Sequence, residues 1–122
     1  MIWKFTNDKP VYQQIIEIIQ DAVLCGQYSA GSKFPSVREL AAEARVNPNT
    51  MQHALQELER QQLLITNGTS GRYVTEDEAV IQSAKNQRIK SITEDYIKKF
   101  SAIGISPEQA ANFLTQYVDR KE

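Results

Sequence analysis

The stretch that decides the fold is Ser36-Val37-Arg38-Glu39-Leu40-Ala41-Ala42-Glu43-Ala44-Arg45-Val46-Asn47-Pro48-Asn49-Thr50-Met51-Gln52-His53-Ala54-Leu55-Gln56-Glu57-Leu58. Ser36 and Glu39 have the spacing of a capping box, in which the hydroxyl accepts from the amide of residue 39 and the carboxylate reaches back to the amide of Ser36. A helix therefore starts there. Val37, Leu40, Ala41 and Ala44 form its narrow apolar stripe, and it must stop before Pro48 because the residue preceding a proline disfavours helical backbone. About ten residues are predicted for it. Asn47-Pro48 is the next start signal, with Asn47 as N-cap and Pro48 at the first helical position, where a missing N–H costs nothing. Met51, Ala54, Leu55 and Leu58 then supply the apolar face of a further helix, predicted to run to about Gln62. The two helices meet across Arg45-Val46-Asn47, with Val46 expected to be buried and small polar residues opening the second helix. This is the pattern of a helix-turn-helix, the plainer alternative being an ordinary helical hairpin.

On the N-terminal side, Val11, Ile15, Ile18 or Ile19, Ala22 and Val23 recur at helical spacing, which predicts a helix from Pro10 to Cys25 stopped by Gly26. Phe34, in the connector between Gly31 and Pro35, is an expected core anchor. On the C-terminal side, Leu63-Leu64-Ile65-Thr66 and Arg72-Tyr73-Val74-Thr75 are β-prone runs flanking the turn-rich Asn67-Gly68-Thr69-Ser70-Gly71. Three helices followed by a hairpin give the winged form of the motif, so the expected class is mainly α with a small β-hairpin. At Glu76-Asp77-Glu78 the composition changes and a new helix is expected, which divides the chain into residues 1–75 and 76–122. Ile89, Ile92, Tyr96, Phe100 and Ile103 keep helical spacing up to Gly104. Ser106-Pro107-Glu108-Gln109 then caps a last helix carrying Ala110, Phe113, Leu114, Tyr117 and Val118. Two helices cannot bury that much apolar surface against each other alone. They must fold back on the first domain or meet a second copy, and a two-fold dimer through Ile89, Ile92, Tyr96, Phe100, Phe113 and Tyr117 is the favoured expectation.

Composition narrows the function. The chain has 122 residues, too few for a two-domain enzyme, with 41% hydrophobic and 24% charged residues. No run approaches the roughly 20 apolar residues of a membrane span, and the N-terminus lacks the order of a secretory signal, so a cytoplasmic protein with no membrane partner is expected. One cysteine, Cys25, cannot form an internal disulfide, and with one histidine, His53, it cannot make a four-ligand zinc site unless carboxylates or a second chain contribute. His53 sits inside a helix with no acid among its nearest neighbours, and no serine lies at a glycine elbow. Glu17, Asp21, Glu57 and Glu59 read as solvated helix charge. Gly68 to Gly71 has no P-loop lysine. No enzyme, cofactor or metal is expected.

The net charge of −1 gives the whole molecule no bulk attraction for polyanions, so any nucleic-acid site must be local. Met1 to Thr75 carries seven basic residues (Lys4, Lys9, Lys33, Arg38, Arg45, Arg60, Arg72) against seven acids (Asp8, Glu17, Asp21, Glu39, Glu43, Glu57, Glu59). Yet no acid occurs from Ala44 to Gln56. That window offers Asn47, Asn49, Thr50, Gln52, His53 and Gln56, all able to hydrogen-bond bases or phosphates, and it opens with a helix N-terminus that suits a phosphate. Capping is the simpler role for Asn47 and Thr50. Arg38 can reach the DNA backbone or pair with Glu43, and Arg72 can follow the minor groove or blunt a strand edge.

Pro10-Val11-Tyr12-Gln13-Gln14-Ile15, Gly31 to Ala41, Val46-Asn47-Pro48-Asn49-Thr50-Met51 and Leu55-Gln56-Glu57-Leu58-Glu59, in this order and spacing, resemble the N-terminal domain of GntR-type bacterial transcriptional regulators. The short two-helix tail is similar to the YtrA-type subfamily, where it is associated with dimerisation. The resemblance implies DNA contacts at Ser36, Arg38 and Glu39, at Asn47, Asn49, Thr50, Gln52 and His53, and at the wing Gly68, Thr69, Ser70, Gly71 and Arg72. This chain departs from the family pattern at several points. Pro48, Gln52 and His53 stand where many relatives have arginine or lysine, and Phe34 replaces a leucine. The wing tip is one residue longer, and the glycine usual near Gln61 or Gln62 is absent. The expected function is a homodimeric repressor placing two recognition helices about 34 Å apart on an inverted-repeat operator. The alternative is a winged-helix module for protein or RNA without specific DNA binding. An aromatic pocket of Tyr96, Phe100, Phe113 and Tyr117 leaves a small-molecule effector open.

Overall fold

The computed structural model describes residues 1–121; Glu122 lies outside the described residues. The element order is α1 (Val11–Leu24), α2 (Val37–Ala44), α3 (Pro48–Arg60), β1 (Leu64–Thr66), β2 (Arg72–Val74), α4 (Glu78–Ser101) and α5 (Pro107–Lys121). The chain divides into two compact units, Met1–Ala84 and Lys85–Glu122.

In the first unit, the apolar positions picked out by helical spacing turn inward, except that Val11 stays exposed and Val37 is half-buried. Ile15, Ile19 and Val23 of α1 meet Leu40 and Ala41 of α2 and Met51, Ala54, Leu55 and Leu58 of α3, with Phe34, Leu63, Leu64 and Val74 closing the core. Burying side chains of this size is the dominant favourable contribution, roughly 1.5–3 kcal/mol for each large one. Two features lie beyond the periodic pattern. Met1, Trp3 and Phe5 of the N-terminal segment also pack on this core, and the buried amide of Gln14 pins that segment. Gln14 accepts from the Thr6 amide at 2.8 Å and donates to the Thr6 and Lys9 carbonyls at 2.9 and 2.7 Å. Val80, Ile81 and Ala84, in the first turns of α4, pack on the same core.

The helix ends explain the turn. Ser36 accepts from the Glu39 amide at 3.2 Å and its own amide faces the Glu39 carboxylate at 3.5 Å, the reciprocal box that starts α2. Arg45 ends α2 in the left-handed conformation, φ 58°, and the Val46 amide closes back on the Ala41 carbonyl at 3.1 Å. Asn47 then caps α3 by accepting from the Asn49 amide at 2.8 Å. Val46 is half-buried, not fully inside. The α3 helix stops at Arg60, two residues short of the expected end, because Gln62 takes φ 66°. Its amide and that of Leu63 close on the carbonyls of Glu59 and Leu58 at 2.8 and 3.1 Å, and Leu63 thereby enters the core instead of the strand.

β1 and β2 pair antiparallel with Leu64 opposite Val74, Ile65 opposite Tyr73 and Thr66 opposite Arg72. A bridge between Lys33 and Tyr73 adds the connector before α2 to the far edge of β2. The hairpin is thus fastened to the helices on both sides.

In the second unit, Ser106 and Gln109 form the cap that starts α5, with the Ser106 amide donating to Gln109 Oε1 at 3.0 Å and the Gln109 amide donating to Ser106 Oγ at 3.2 Å. The Tyr96 hydroxyl donates to the Ala110 carbonyl at 2.6 Å. Phe100 lies edge-on to Tyr96 and stacked on Phe113, with centroid separations of 4.9 and 5.9 Å.

Candidate nucleic-acid interface

The surface of α2 and its turn combines capping with free charge. Ser36 and Glu39 are exposed but engaged with each other, so the carboxylate is held at the helix start. Arg38 is exposed and has no ion pair with Glu43 or any other acid among the described residues. It stands beside Ser36 in the first turn of α2.

On α3, Asn47, Asn49, His53 and Gln56 are exposed, and Thr50 and Gln52 are half-buried. The face is free of acids, and the two that border it are neutralised. Glu57 accepts from Arg60 Nε and Nη2 at 2.5 and 2.6 Å, and this hydrogen bonding holds its carboxyl below the usual glutamate range. Glu59 accepts from Arg72 Nε at 2.5 Å and from the Thr66 hydroxyl at 2.7 Å. Burial pushes the Glu59 carboxyl up, but the bonds from Thr66 and Arg72 and the arginine charge together outweigh it, so its pKa is lowered. The expectation that Glu57 and Glu59 are solvated surface charges is therefore corrected: their side chains are only 21% and 28% exposed, Glu57 is paired with Arg60, and Glu59 organises the wing.

The hairpin tip is a tight loop. The Asn67 amide donates to the Gly71 carbonyl at 2.9 Å, the Ser70 amide and hydroxyl both donate to the Asn67 carbonyl, and Gly71 takes φ 107°, which side chains rarely adopt. Gly68, Thr69, Ser70 and Gly71 are all exposed. Arg72 is placed differently: it lies folded against α3, its side chain 16% exposed, with Nη2 reaching Gln52 Oε1 at 3.5 Å. It is neither a free groove probe nor an exposed strand charge. No signal within the hairpin alone marks this, because Glu59 and Arg72 meet only once the hairpin is folded back.

The family model for bacterial regulatory proteins of the gntR family matches residues 11–74, more than half the chain. The chain belongs to the gntR family. This gntR-family chain is similar to the uncharacterised HTH-type transcriptional regulator YhcF of Bacillus subtilis, with 30% identity across 95% of this chain and 96% of the relative. It is also similar to the HTH-type transcriptional repressor YtrA of the same organism, with 32% identity across 90% and 85%. A GntR family transcriptional regulator from Listeria monocytogenes has the same fold, with a TM-score of 0.84 and 38% identity over 92% of this chain and 98% of that one. The gntR-family chain is accordingly a transcriptional regulator with a DNA-binding helix-turn-helix, not an enzyme, and its tail is of the YtrA kind. No helix among the described residues is long and apolar enough to cross a membrane.

In the second unit of this regulator, the six residues expected at a dimer interface separate into two groups. Tyr96 and Phe100 are half-buried and spent on contacts between α4 and α5. Ile89, Ile92, Phe113 and Tyr117 are 45–60% exposed, as are their neighbours Leu114 and Val118. Tyr96, Phe100, Phe113 and Tyr117 line an open groove of about 510 Å³.

Proposed function

We propose that this regulator is a homodimeric repressor that reads an inverted-repeat operator in the cytoplasm. The observation that carries this is the acid-free exposed face of α3, which presents Asn49, Gln52, His53 and Gln56 between acids already paired with arginines. Such a face admits a phosphate backbone and offers amides to base edges. The contacts are Ser36, Arg38 and Glu39 on α2, Asn47, Asn49, Thr50, Gln52 and His53 on α3, and the wing tip from Gly68 to Gly71, with Arg72 behind it tied to Glu59. The reading domain is residues 1–75 with the packed start of α4, and the region 76–122 carries assembly. Exposed Ile89, Ile92, Phe113, Leu114, Tyr117 and Val118 support a second copy there, since this much apolar surface on a small unit calls for cover. Repression is supported by the likeness to the repressor YtrA.

The test is a footprint on the promoter beside the protein's own gene, with binding measured across a salt series. Two protected half-sites related by a dyad, one helical turn apart or a multiple of it, with affinity falling steeply as salt rises, are expected. Protection of one unsymmetrical patch, or tighter binding to RNA than to any duplex, overturns it.

A further inference from the structure

We infer that Arg72 and Glu59 set the base preference of the recognition helix by fixing which end of the Gln52 amide faces DNA. Gln52 and Glu59 are seven residues apart on α3 and so share one stripe of the helix. Arg72 lies along that stripe. Its Nε is held by Glu59 Oε1 at 2.5 Å, and Glu59 is itself held by the Thr66 hydroxyl, which faces Arg72 directly across the hairpin. The Arg72 side chain is 16% exposed, so its direction is determined by this pair. A guanidinium has donors and no acceptor, and the amide end turned toward it must therefore be the oxygen. Gln52 Oε1 occupies that position, 3.5 Å from Arg72 Nη2. The end turned away from Arg72 is the NH₂ group.

The consequence is chemical. A glutamine with both ends free pairs in bidentate fashion with adenine, accepting from N6 and donating to N7. With its oxygen turned toward Arg72, Gln52 leads with its NH₂ group, and the major-groove edge that suits a leading donor is guanine, which presents O6 and N7 and no competing donor. Gln52 is thus the residue that touches the base, while Arg72 and Glu59 are positioning residues acting through it. This rests on the DNA-reading role proposed above.

The experiment is selection of operators from a randomised duplex pool with the full chain, followed by affinities for the four bases at the position that Gln52→Ala loses. The wild-type chain should prefer guanine over adenine there by about fivefold or more, the discrimination expected of one hydrogen bond. Arg72→Ala and Glu59→Gln free the amide and should shift that position toward adenine, leaving the other operator positions unchanged. Because Arg72→Ala removes an internal contact, Gln52→Glu provides a second arm: it keeps an acceptor for Arg72, has no donor, and should abolish the guanine preference in a chain whose melting temperature is maintained. A wild-type preference for adenine, or a preference unmoved by Arg72→Ala, Glu59→Gln and Gln52→Glu alike, overturns the inference alone. Failure of the wild-type chain to enrich any sequence overturns the DNA-reading role and this inference with it.

Discussion

Arg72 Nε lies 2.5 Å from Glu59 Oε1, so the second strand of the hairpin is tied to the recognition helix by a charged hydrogen bond. Both side chains are mostly covered, and removing one leaves the other's charge without its partner. Glu59→Ala should therefore cost about 1–3 kcal/mol in urea unfolding near pH 7. The lowered pKa of Glu59 fixes the pH dependence: in the acid window the unfolded chain binds more protons at this site than the folded one, so the contribution is present at neutral pH and is lost as pH falls through the folded-state pKa, below the ordinary glutamate range. The wild-type and Glu59→Ala unfolding curves should converge as the buffer is taken down through that range. A gap of constant size would show that the charge contributes nothing.

Gln62 and Arg45 sit at φ 66° and 58° just past the ends of α3 and α2, where a side chain is strained and glycine is not. Gln62→Gly should raise stability by about 0.5–1 kcal/mol, since it relieves the left-handed strain at an exposed site. Gln62→Val should lower it, because a β-branched residue is a poorer fit still. Arg45→Gly should be neutral or stabilising in the same melts. Destabilisation by both glycines would mean that their lost side chains matter more than the backbone does.

The fold was legible where one residue's chemistry acts on its own neighbours. The caps at Ser36, Asn47 and Ser106 and the stripe Met51, Ala54, Leu55, Leu58 depend on spacings of two to seven residues, and each stands where the sequence puts it. Contacts between distant segments were not. Glu59 reads as surface charge because the arginine and threonine that claim it are thirteen and seven residues further on. The packing of Trp3 and Phe5 on the core has no helical signal: Met1, Trp3 and Phe5 alternate with exposed neighbours over a run too short to mark an element, ahead of the anchor at Gln14. Absence of a glycine near Gln62 was visible in the sequence, but its strain was not until the helix end was placed. Of the recognition surface, the choice of α3 and its acid-free window came from sequence alone, whereas the inward turn of Arg72 required the folded hairpin.

Assembly is tested by sedimentation. If Ile89, Ile92, Phe113 and Tyr117 are covered by a second copy, the full chain should sediment at about twice its mass of 13.9 kDa. Phe113→Asp, which places a charge on a 45% exposed apolar side chain, should shift it toward monomer. A chain ending at Ala84 should be monomeric and folded, while one ending at Thr75 should be less stable because it lacks Val80, Ile81 and Ala84. A wild-type monomer at tens of micromolar rules the dimer out.

Arg38 and Asn49 should separate holding DNA from reading it. Arg38 is an exposed cation with no acid engaged, so placing it on a phosphate breaks no internal pair, and Arg38→Ala should weaken operator and scrambled duplex alike. Counterion release then lowers the slope of log affinity against log salt by about one. Asn49 is exposed on the first turn of α3, and its backbone amide already serves the Asn47 cap, which leaves the side chain uncommitted to holding the helix start. Asn49→Ala should therefore cost roughly 1–3 kcal/mol on operator, hardly change binding to scrambled duplex, and leave the salt slope as it is. Thr50→Val, which removes a half-buried hydroxyl near the same helix start, should weaken both duplexes as Arg38→Ala does. Operator and scrambled affinities of each variant have to be compared with the wild type at the same concentrations across one salt series. Equal losses on the two duplexes for Asn49→Ala would mean that α3 positions the protein without reading bases, and discrimination would then fall to DNA shape at the wing.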